Sequence, residues 1–241
     1  MSWTQENLPL IGELTLNHTR LAVIPIVASF VLSIPLGWLA NRNRVLRAVV
    51  IGGGSLLYTI PSLPLFVILP LVIPTRVLDE TNLVVALTIY GVAVMARSAS
   101  DALASVEPAT IDASTAVGFS PAARFFRVEL PLAGPVLLAG IRVVSVSTIA
   151  LVSVGVIIGS ANLGYLFQNG KQRGILEEVV VGIVISLLLA FVFDVVIVLL
   201  GRLLMPWTRD APAAGRGTDE SGAPQGPAGP DQMVALTGGL R

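Results

Sequence analysis

The 241-residue chain contains no cysteine and only one histidine, His18. A disulfide, a thiol nucleophile and a thiolate metal site are therefore excluded, and we predict no metal site. Lysine is equally scarce, because Lys171 in the run NGKQ is the only one. A P-loop needs the pattern Gly-x-x-x-x-Gly-Lys-Ser/Thr, so the chain cannot hold a nucleotide phosphate in that way.

Charged side chains make up only 12% of the chain, whereas a soluble domain usually carries about a quarter. Hydrophobic residues account for 54%, and the mean hydropathy is +0.83. A soluble surface of this size could not stay hydrated with so little charge, so the composition indicates an integral membrane protein. The formal net charge is zero, which gives no indication of a nucleic-acid partner.

Several apolar segments approach or exceed the ~20 residues that a membrane-spanning helix needs. We predict an all-α integral membrane protein with five transmembrane helices, at about 19–40, 46–73, 82–96, 132–158 and 179–205. Prolines interrupt the second segment, and a membrane tolerates such breaks where neighbouring helices or water satisfy the backbone. The pattern fits a broken helix that lines a transport path and a kinked packing helix equally well. Our candidates for the path are Tyr58, Thr59, Pro61 and Ser62.

Arginines indicate which ends of the segments face the cytoplasm, because cytoplasmic loops carry an excess of basic residues. They follow the first and fifth segments and lie between the third and fourth, at Arg42, Arg44, Arg47, Arg97, Arg124, Arg127, Arg202 and Arg209. The prediction is an N-terminus outside and a C-terminus in the cytoplasm. We divide the chain into an extracytoplasmic segment (1–18), a transmembrane domain (19–207) and a disordered cytoplasmic tail (208–241) rich in Gly and Pro.

The longest cytoplasmic loop, 97–130, contains a spaced motif. Pro108 fits a helix start, Gly118 a helix end and Pro121 the start of another helix. This stretch resembles the loop of binding-protein-dependent ABC importer permeases, in which Glu-Ala-Ala precedes a spaced Gly and a later Ile-x-Leu-Pro. Every spacing agrees in this chain, with mild departures of Asp for Glu, Ser for Ala and Val for Ile. The matching residues are Asp112, Ala113, Ser114, Gly118, Val128, Leu130 and Pro131.

The resemblance implies a MetI-like type I permease in a bacterial cell membrane. The loop would form a coupling helix seated in a separate ATPase subunit, where small residues allow close approach and Gly118 a tight turn. The implied partners are that ATPase, an extracytoplasmic binding protein and a second permease copy, identical or paralogous. ATP would be bound by the partner, so the chain would be a transport subunit, not an enzyme, with no cofactor and no catalytic residue.

Within this family the chain is most similar to permeases for glycine betaine, carnitine, choline and proline, which serve osmotic protection. The stretches that carry this likeness include RLAVIPIVASFVLSIPLGWLANR and TIPSLPLFVILPLV. Methionine permeases share the size and the number of spans, so import of methionine or another small solute is the alternative. A secondary transporter is a weaker alternative, because the loop motif argues against it and we find no inverted repeat.

One acidic residue, Asp194, lies inside a predicted span. Ionisable groups there usually face protein or water and have a partner. Arg202 lies eight residues later on the same helix, and Arg142 in the fourth segment is a further candidate partner. We predict an intramembrane charge pair of Asp194 with Arg202, which would act either structurally or as a gate.

Overall fold

The computed structural model describes residues 3–76 and 79–208, and every regular element within those ranges is helical. Most of the predicted tail therefore lies outside the described residues. We number the α-helices α1 to α11 in chain order. They are Trp3–Glu6, Leu8–Ala40, Arg44–Arg47, Gly53–Thr59, Ser62–Ile68, Glu80–Ala104, Pro108–Ala116, Pro121–Arg124, Leu130–Val152, Gly164–Arg173 and Leu176–Leu204.

Within the described ranges, four helical runs are long and apolar enough to cross a membrane: Leu8–Ala40, Glu80–Ala104, Pro121–Ile158 and Leu176–Leu204. The pair Arg44–Thr59 and Ser62–Leu71, bent by 98° at a short break, makes a fifth if it counts as one span. The predicted fold class is thus confirmed, including the break in the second segment. The three consecutive glycines from Gly52 do not interrupt the helix, because the break comes later, at Ile60 and Pro61.

The first span begins earlier than the sequence predicted. Helix α2 runs for 33 residues from Leu8 and carries Pro9 in its first turn, where proline is tolerated because that N–H would have no helical partner. At 1.5 Å per residue it is about 50 Å long, against ~30 Å for a hydrocarbon core. Most of the stretch 1–18, predicted as a separate segment, therefore belongs to the helix that also forms the first span.

Helix α10 was missed by the sequence analysis, which placed no element between the predicted spans 132–158 and 179–205. It has ten residues, Gly164–Arg173, and ends at Gly174, whose φ of +69° favours glycine. Its apolar residue Leu166 is buried and packs near Leu14 and Leu163. Ten residues are too few to cross a membrane, so a search for apolar spans does not detect this helix. It is identified only from its packing in the structure.

Helices α2 and α6 pack closely along a seam of small residues. On α2 these are Ser29, Ser33 and Gly37, spaced four residues apart and buried. A Cβ at Gly37 would lie 2.7 Å from atoms of Ala99, and one at Gly91 would lie 2.6 Å from Ser29. Small residues at such seams let backbones approach, which is how membrane helices gain van der Waals contact. Helix α9 packs against both α6 and α2.

A polar network joins the end of α2 to α6 on the side predicted to be cytoplasmic. The side-chain amide of Asn41 donates to the carbonyl oxygen of Ser100 at 2.8 Å, and the Ser100 hydroxyl donates back to Asn41. Arg47 of α3 donates to Asn41, to the Ser100 hydroxyl and to Asp101, the last at 3.0 Å. One of the arginines that indicated orientation therefore also ties three helices together.

His18 joins three parts of the fold at the opposite end of the bundle. Its ring is fully buried, with Nε2 lying 3.0 Å from the carbonyl oxygen of Ile149 in α9. Its Nδ1 accepts from the backbone N–H of Leu163 at 3.3 Å. This pattern assigns the proton to Nε2. Both nitrogens of the single histidine thus serve packing between α2, α9 and the segment before α10.

Candidate functional site

Helix α7 is the candidate coupling helix, and it starts and ends where the sequence predicted. It runs from Pro108, directly after Glu107, to Ala116. Asp112 and Ala113 are exposed, so this face is open to a partner. Ser114 is buried and donates its hydroxyl to the Ile111 carbonyl oxygen at 2.7 Å. Ile111 packs against the core of the bundle, so the helix is held on one face only.

Gly118 terminates α7 with φ of +98°, a backbone conformation that other residues rarely adopt. The N–H of Gly118 donates to the carbonyl oxygen of Thr115 at 3.0 Å. The N–H of Phe119 donates to the carbonyl oxygen of Ser114 at 3.2 Å. Together these two bonds form a Schellman motif, which satisfies the last carbonyls of a helix. The tight turn expected at Gly118 is confirmed, and open space surrounds its Cα.

Arg124 fastens the coupling helix to the next helix, a role that the sequence analysis missed. Its Nη1 donates to the Thr115 hydroxyl at 2.9 Å, and its Nε donates to Glu129 at 2.7 Å. Residues five apart do not face each other on an α-helix. Here the segment Phe125–Glu129 is a π-helical turn, whose wider winding brings Arg124 and Glu129 together. No sequence spacing rule for α-helices would have found this pair.

The motif's last residues, Leu130 and Pro131, lie in a helix and not at the end of a loop. The loop was predicted to span 97–130, but α6 continues to Ala104, and the helical run that contains α9 already begins at Pro121. The N–H of Leu130 donates to the carbonyl oxygen of Phe125, five residues back. Pro131 follows and has no N–H to donate, so it cannot form an α-helical hydrogen bond. The π-helical turn therefore lies next to a position where the α-helical hydrogen-bond pattern is interrupted in any case. Leu130 itself packs against the core.

The break in the second span places Ile60 and Pro61 in extended conformations, with ψ of 126° and 141°. Extended backbone before proline is expected from the clash with the proline ring. The hydroxyl of Tyr90, in α6, donates to the Ile60 carbonyl oxygen at 2.5 Å. The break thus receives its hydrogen bond from a neighbouring helix, as the membrane requires.

The four predicted path residues cluster at this break. Tyr58 is half exposed, and its ring meets Tyr90 edge to face, with ring centroids 5.7 Å apart. Thr59 is exposed and donates its hydroxyl to the Leu56 carbonyl oxygen, while Pro61 is exposed and Ser62 starts α5. The structure brings these residues together, but their contact with solute stays a prediction.

We expect Tyr90→Phe to lower the unfolding free energy by about 1 kcal/mol, the net value of a typical hydrogen bond. The lost hydroxyl leaves the Ile60 carbonyl oxygen without its donor, while the ring pair stays. Tyr58→Phe is the matched control, because it removes the hydroxyl of the exposed ring in the same pair. Thermal unfolding in detergent measures both variants, and equal melting temperatures for the two would contradict the expectation.

The structure corrects the partner predicted for Asp194. Its two carboxylate oxygens accept from Nε and Nη2 of Arg142 in α9, at 2.6 and 2.8 Å. Arg202 lies eight residues after Asp194 on a continuous helix, which corresponds to about 12 Å along the axis. That separation is too long for a direct pair of these two side chains. The charge pair therefore joins α9 to α11, and it was the further candidate, Arg142, that formed it.

Comparison with known proteins identifies the family to which this chain belongs. The model of the family described as "Binding-protein-dependent transport system inner membrane component" matches residues 20–209. The chain belongs to this family. It is therefore an inner-membrane permease component of a transport system that depends on a binding protein, and the resemblance found in the loop motif is confirmed.

Two relatives in the permease family cover most of the chain. One is the osmoprotectant import permease protein OsmW of Salmonella typhimurium, which is 31% identical over 194 residues, covering 78% of this chain and 89% of that protein. Another is the choline transport system permease protein OpuBB of Bacillus subtilis. It is 30% identical over 198 residues, covering 81% of this chain and 90% of that protein.

Solved structures show the same fold. A chain of the MetNI methionine ABC transporter in an inward-facing conformation matches with a TM-score of 0.71 and 21% identity, covering 85% of this permease and 99% of that chain. A chain of an amino acid ABC transporter matches with a TM-score of 0.64 and 16% identity, covering 85% and 96%. At these identities the likeness concerns the fold alone, and it confirms the MetI-like architecture.

Proposed function

We propose that this permease forms the membrane path of an ATP-driven importer for osmoprotectants of the glycine betaine, carnitine, choline and proline class. The observation that carries the proposal is that two relatives of at least 30% identity, OsmW and OpuBB, are named for osmoprotectant and choline import. A third relative, the OpuCD permease of Bacillus subtilis, is named for glycine betaine, carnitine and choline and is 28% identical over 190 residues.

We propose that α7 couples the permease to a separate ATPase subunit. Support comes from the exposed face at Asp112 and Ala113, and from the fastening of the helix through Ser114, Gly118 and Arg124. A short helix anchored on one face and free on the other can transmit rigid-body motion of a partner to the bundle. ATP is then bound and hydrolysed by that subunit, and this chain performs no catalysis.

The remaining parts of the proposed transporter are an extracytoplasmic binding protein and a second permease copy. In this arrangement the N-terminus lies outside and the C-terminus in the cytoplasm. Support for the orientation comes from the arginines around the coupling loop, since Arg47, Arg97 and Arg124 all lie at the same end of the bundle as α7.

A second candidate solute is ergothioneine, which carries a quaternary ammonium group and a carboxylate, as glycine betaine does. The ergothioneine transport protein EgtU of Helicobacter pylori is 33% identical over 164 residues. This alignment covers 68% of the chain but only 29% of that protein. Methionine import has weaker support, because the likeness to the MetNI structure concerns the fold alone.

Uptake of labelled glycine betaine at high salt tests the proposal. The host cells lack their own osmolyte importers and express this chain together with a candidate ATPase and a candidate binding protein from the same organism. We expect saturable uptake that unlabelled choline or carnitine inhibits. A parallel strain carries the ATPase with its P-loop lysine replaced, and there uptake should be absent.

Each other outcome removes a part of the proposal. Uptake of labelled ergothioneine or methionine in the same cells, with no uptake of glycine betaine, would replace the solute class and keep the ATP-driven mechanism. Uptake that persists with the inactive ATPase would contradict the coupling role of α7 and indicate a transporter that works alone.

A further inference from the structure

Arg142 and Asp194 lie near the middle of the fourth and fifth predicted spans. Arg142 is twelve residues after Leu130, the start of α9, and Asp194 is ten residues before Leu204, the end of α11. At 1.5 Å per residue these offsets are about 18 and 15 Å, near the middle of a ~30 Å hydrocarbon core. A buried structural pair at this depth would be shielded by other helices.

This pair is not shielded within the chain. The Arg142 side chain is 46% exposed and that of Asp194 is 27% exposed. Charged groups inside a span face the bundle interior or a water-filled cavity, because contact with lipid is costly. One turn to either side of Arg142 on α9, the exposed residues Ala139 and Val146 are small or short. Neither side chain is long enough to cover the guanidinium.

The geometry of the pair leaves one edge of the guanidinium open for a second anion. Asp194 occupies the edge formed by Nε and Nη2. The other edge consists of Nη1 and the second N–H of Nη2, and it takes no part in this pair. A guanidinium has five N–H donors, and each edge matches the two oxygens of a carboxylate. The two hydrogen bonds to Asp194 hold the Arg142 guanidinium in a fixed orientation.

We propose that Arg142 contacts solute in the translocation path and binds the carboxylate of a zwitterionic, betaine-type solute through this second edge. Asp194 acts as the positioning residue. The proposal rests on the proposed osmoprotectant function for its solute class. It predicts a water-exposed face of α9 around Arg142, and it predicts that solutes with a carboxylate depend on Arg142 more than choline, which has none.

The first test asks whether this face meets water, and it needs no solute. Because the chain has no cysteine, single cysteines can be placed at Val146, on the Arg142 face of α9, and at Val192, on the face of α11 opposite Asp194. The two valines are 47% and 52% exposed, so they form a matched pair. In the assembled transporter, a charged methanethiosulfonate reagent should modify Val146→Cys at least tenfold faster than Val192→Cys. Equal rates would overturn the path assignment.

The second test compares solutes. In the assembled transporter we expect Arg142→Lys to lower the ratio of glycine betaine to choline uptake by more than tenfold, because lysine keeps the charge but has no second edge. The control is Arg20→Lys, which alters the Arg20–Glu80 pair between α2 and α6 and should leave the ratio unchanged. An unchanged ratio in Arg142→Lys overturns the carboxylate contact. If the unmodified transporter takes up neither solute, the proposed function and the carboxylate contact both fail, while the thiol reaction still decides the path assignment.

Discussion

We expect Gly118→Asp to reduce solute uptake by more than tenfold while the permease still inserts into the membrane. Gly118 has φ of +98°, where a side chain costs about 1–3 kcal/mol of strain. An acidic group also lies unfavourably at the C-terminal end of a helix dipole. Relaxing this strain breaks the two hydrogen bonds that end α7, so the exposed face at Asp112 and Ala113 loses its orientation toward the ATPase. Uptake and solute-stimulated ATP hydrolysis in proteoliposomes measure the effect.

The matched control for this substitution is Gly174→Asp. Gly174 also has a positive φ, of +69°, ends a helix and has open space around its Cα, but it follows α10 at the other end of the chain's helical bundle. We expect it to lower stability by a similar amount and to leave solute transported per ATP hydrolysed near the wild-type value. If both variants lose this coupling equally, strain alone explains the effect, and the coupling role of Gly118 is contradicted.

We expect Gly37→Leu to have the largest effect on stability of any single change considered. A Cβ at Gly37 would meet Cβ and carbonyl carbon of Ala99 and the backbone nitrogen of Ser100, all at 2.7 Å. These are backbone or rigid atoms, so α2 and α6 must separate along their seam. Overpacking of this kind costs about 1–3 kcal/mol and occasionally more. Thermal unfolding in detergent, followed by size-exclusion chromatography, measures the loss.

Gly12→Leu is the control for the seam. Gly12 lies in the same helix, is exposed, and has nothing within 4 Å of an added Cβ. The gain in helix propensity is the same for both substitutions, so their difference isolates packing against α6. We expect Gly12→Leu to leave the unfolding free energy unchanged or raise it by up to about 1 kcal/mol, the propensity difference between glycine and a good helix former. A comparable loss in both variants would show that the seam does not limit stability.

Two kinds of information were readable directly from the chain. The apolar runs predicted the spans, because a membrane requires helices of a minimum length and few charges. The ends of α7 were readable too, because Pro108 and Gly118 act through local backbone geometry that depends on no distant residue. The boundaries of the first span were less accurate, since a helix can continue past the membrane without any change in its local pattern.

What the sequence could not determine depends on contacts between segments far apart along the chain. Tyr90 satisfies a carbonyl oxygen thirty residues away, and Arg142 pairs with Asp194 across fifty-two residues. Arg124 meets Glu129 only because a π-helical turn changes the winding between them. Hydropathy and local propensity describe how each segment satisfies its own backbone. Which polar side chains meet is decided by how the helices pack, and only the tertiary structure contains that information.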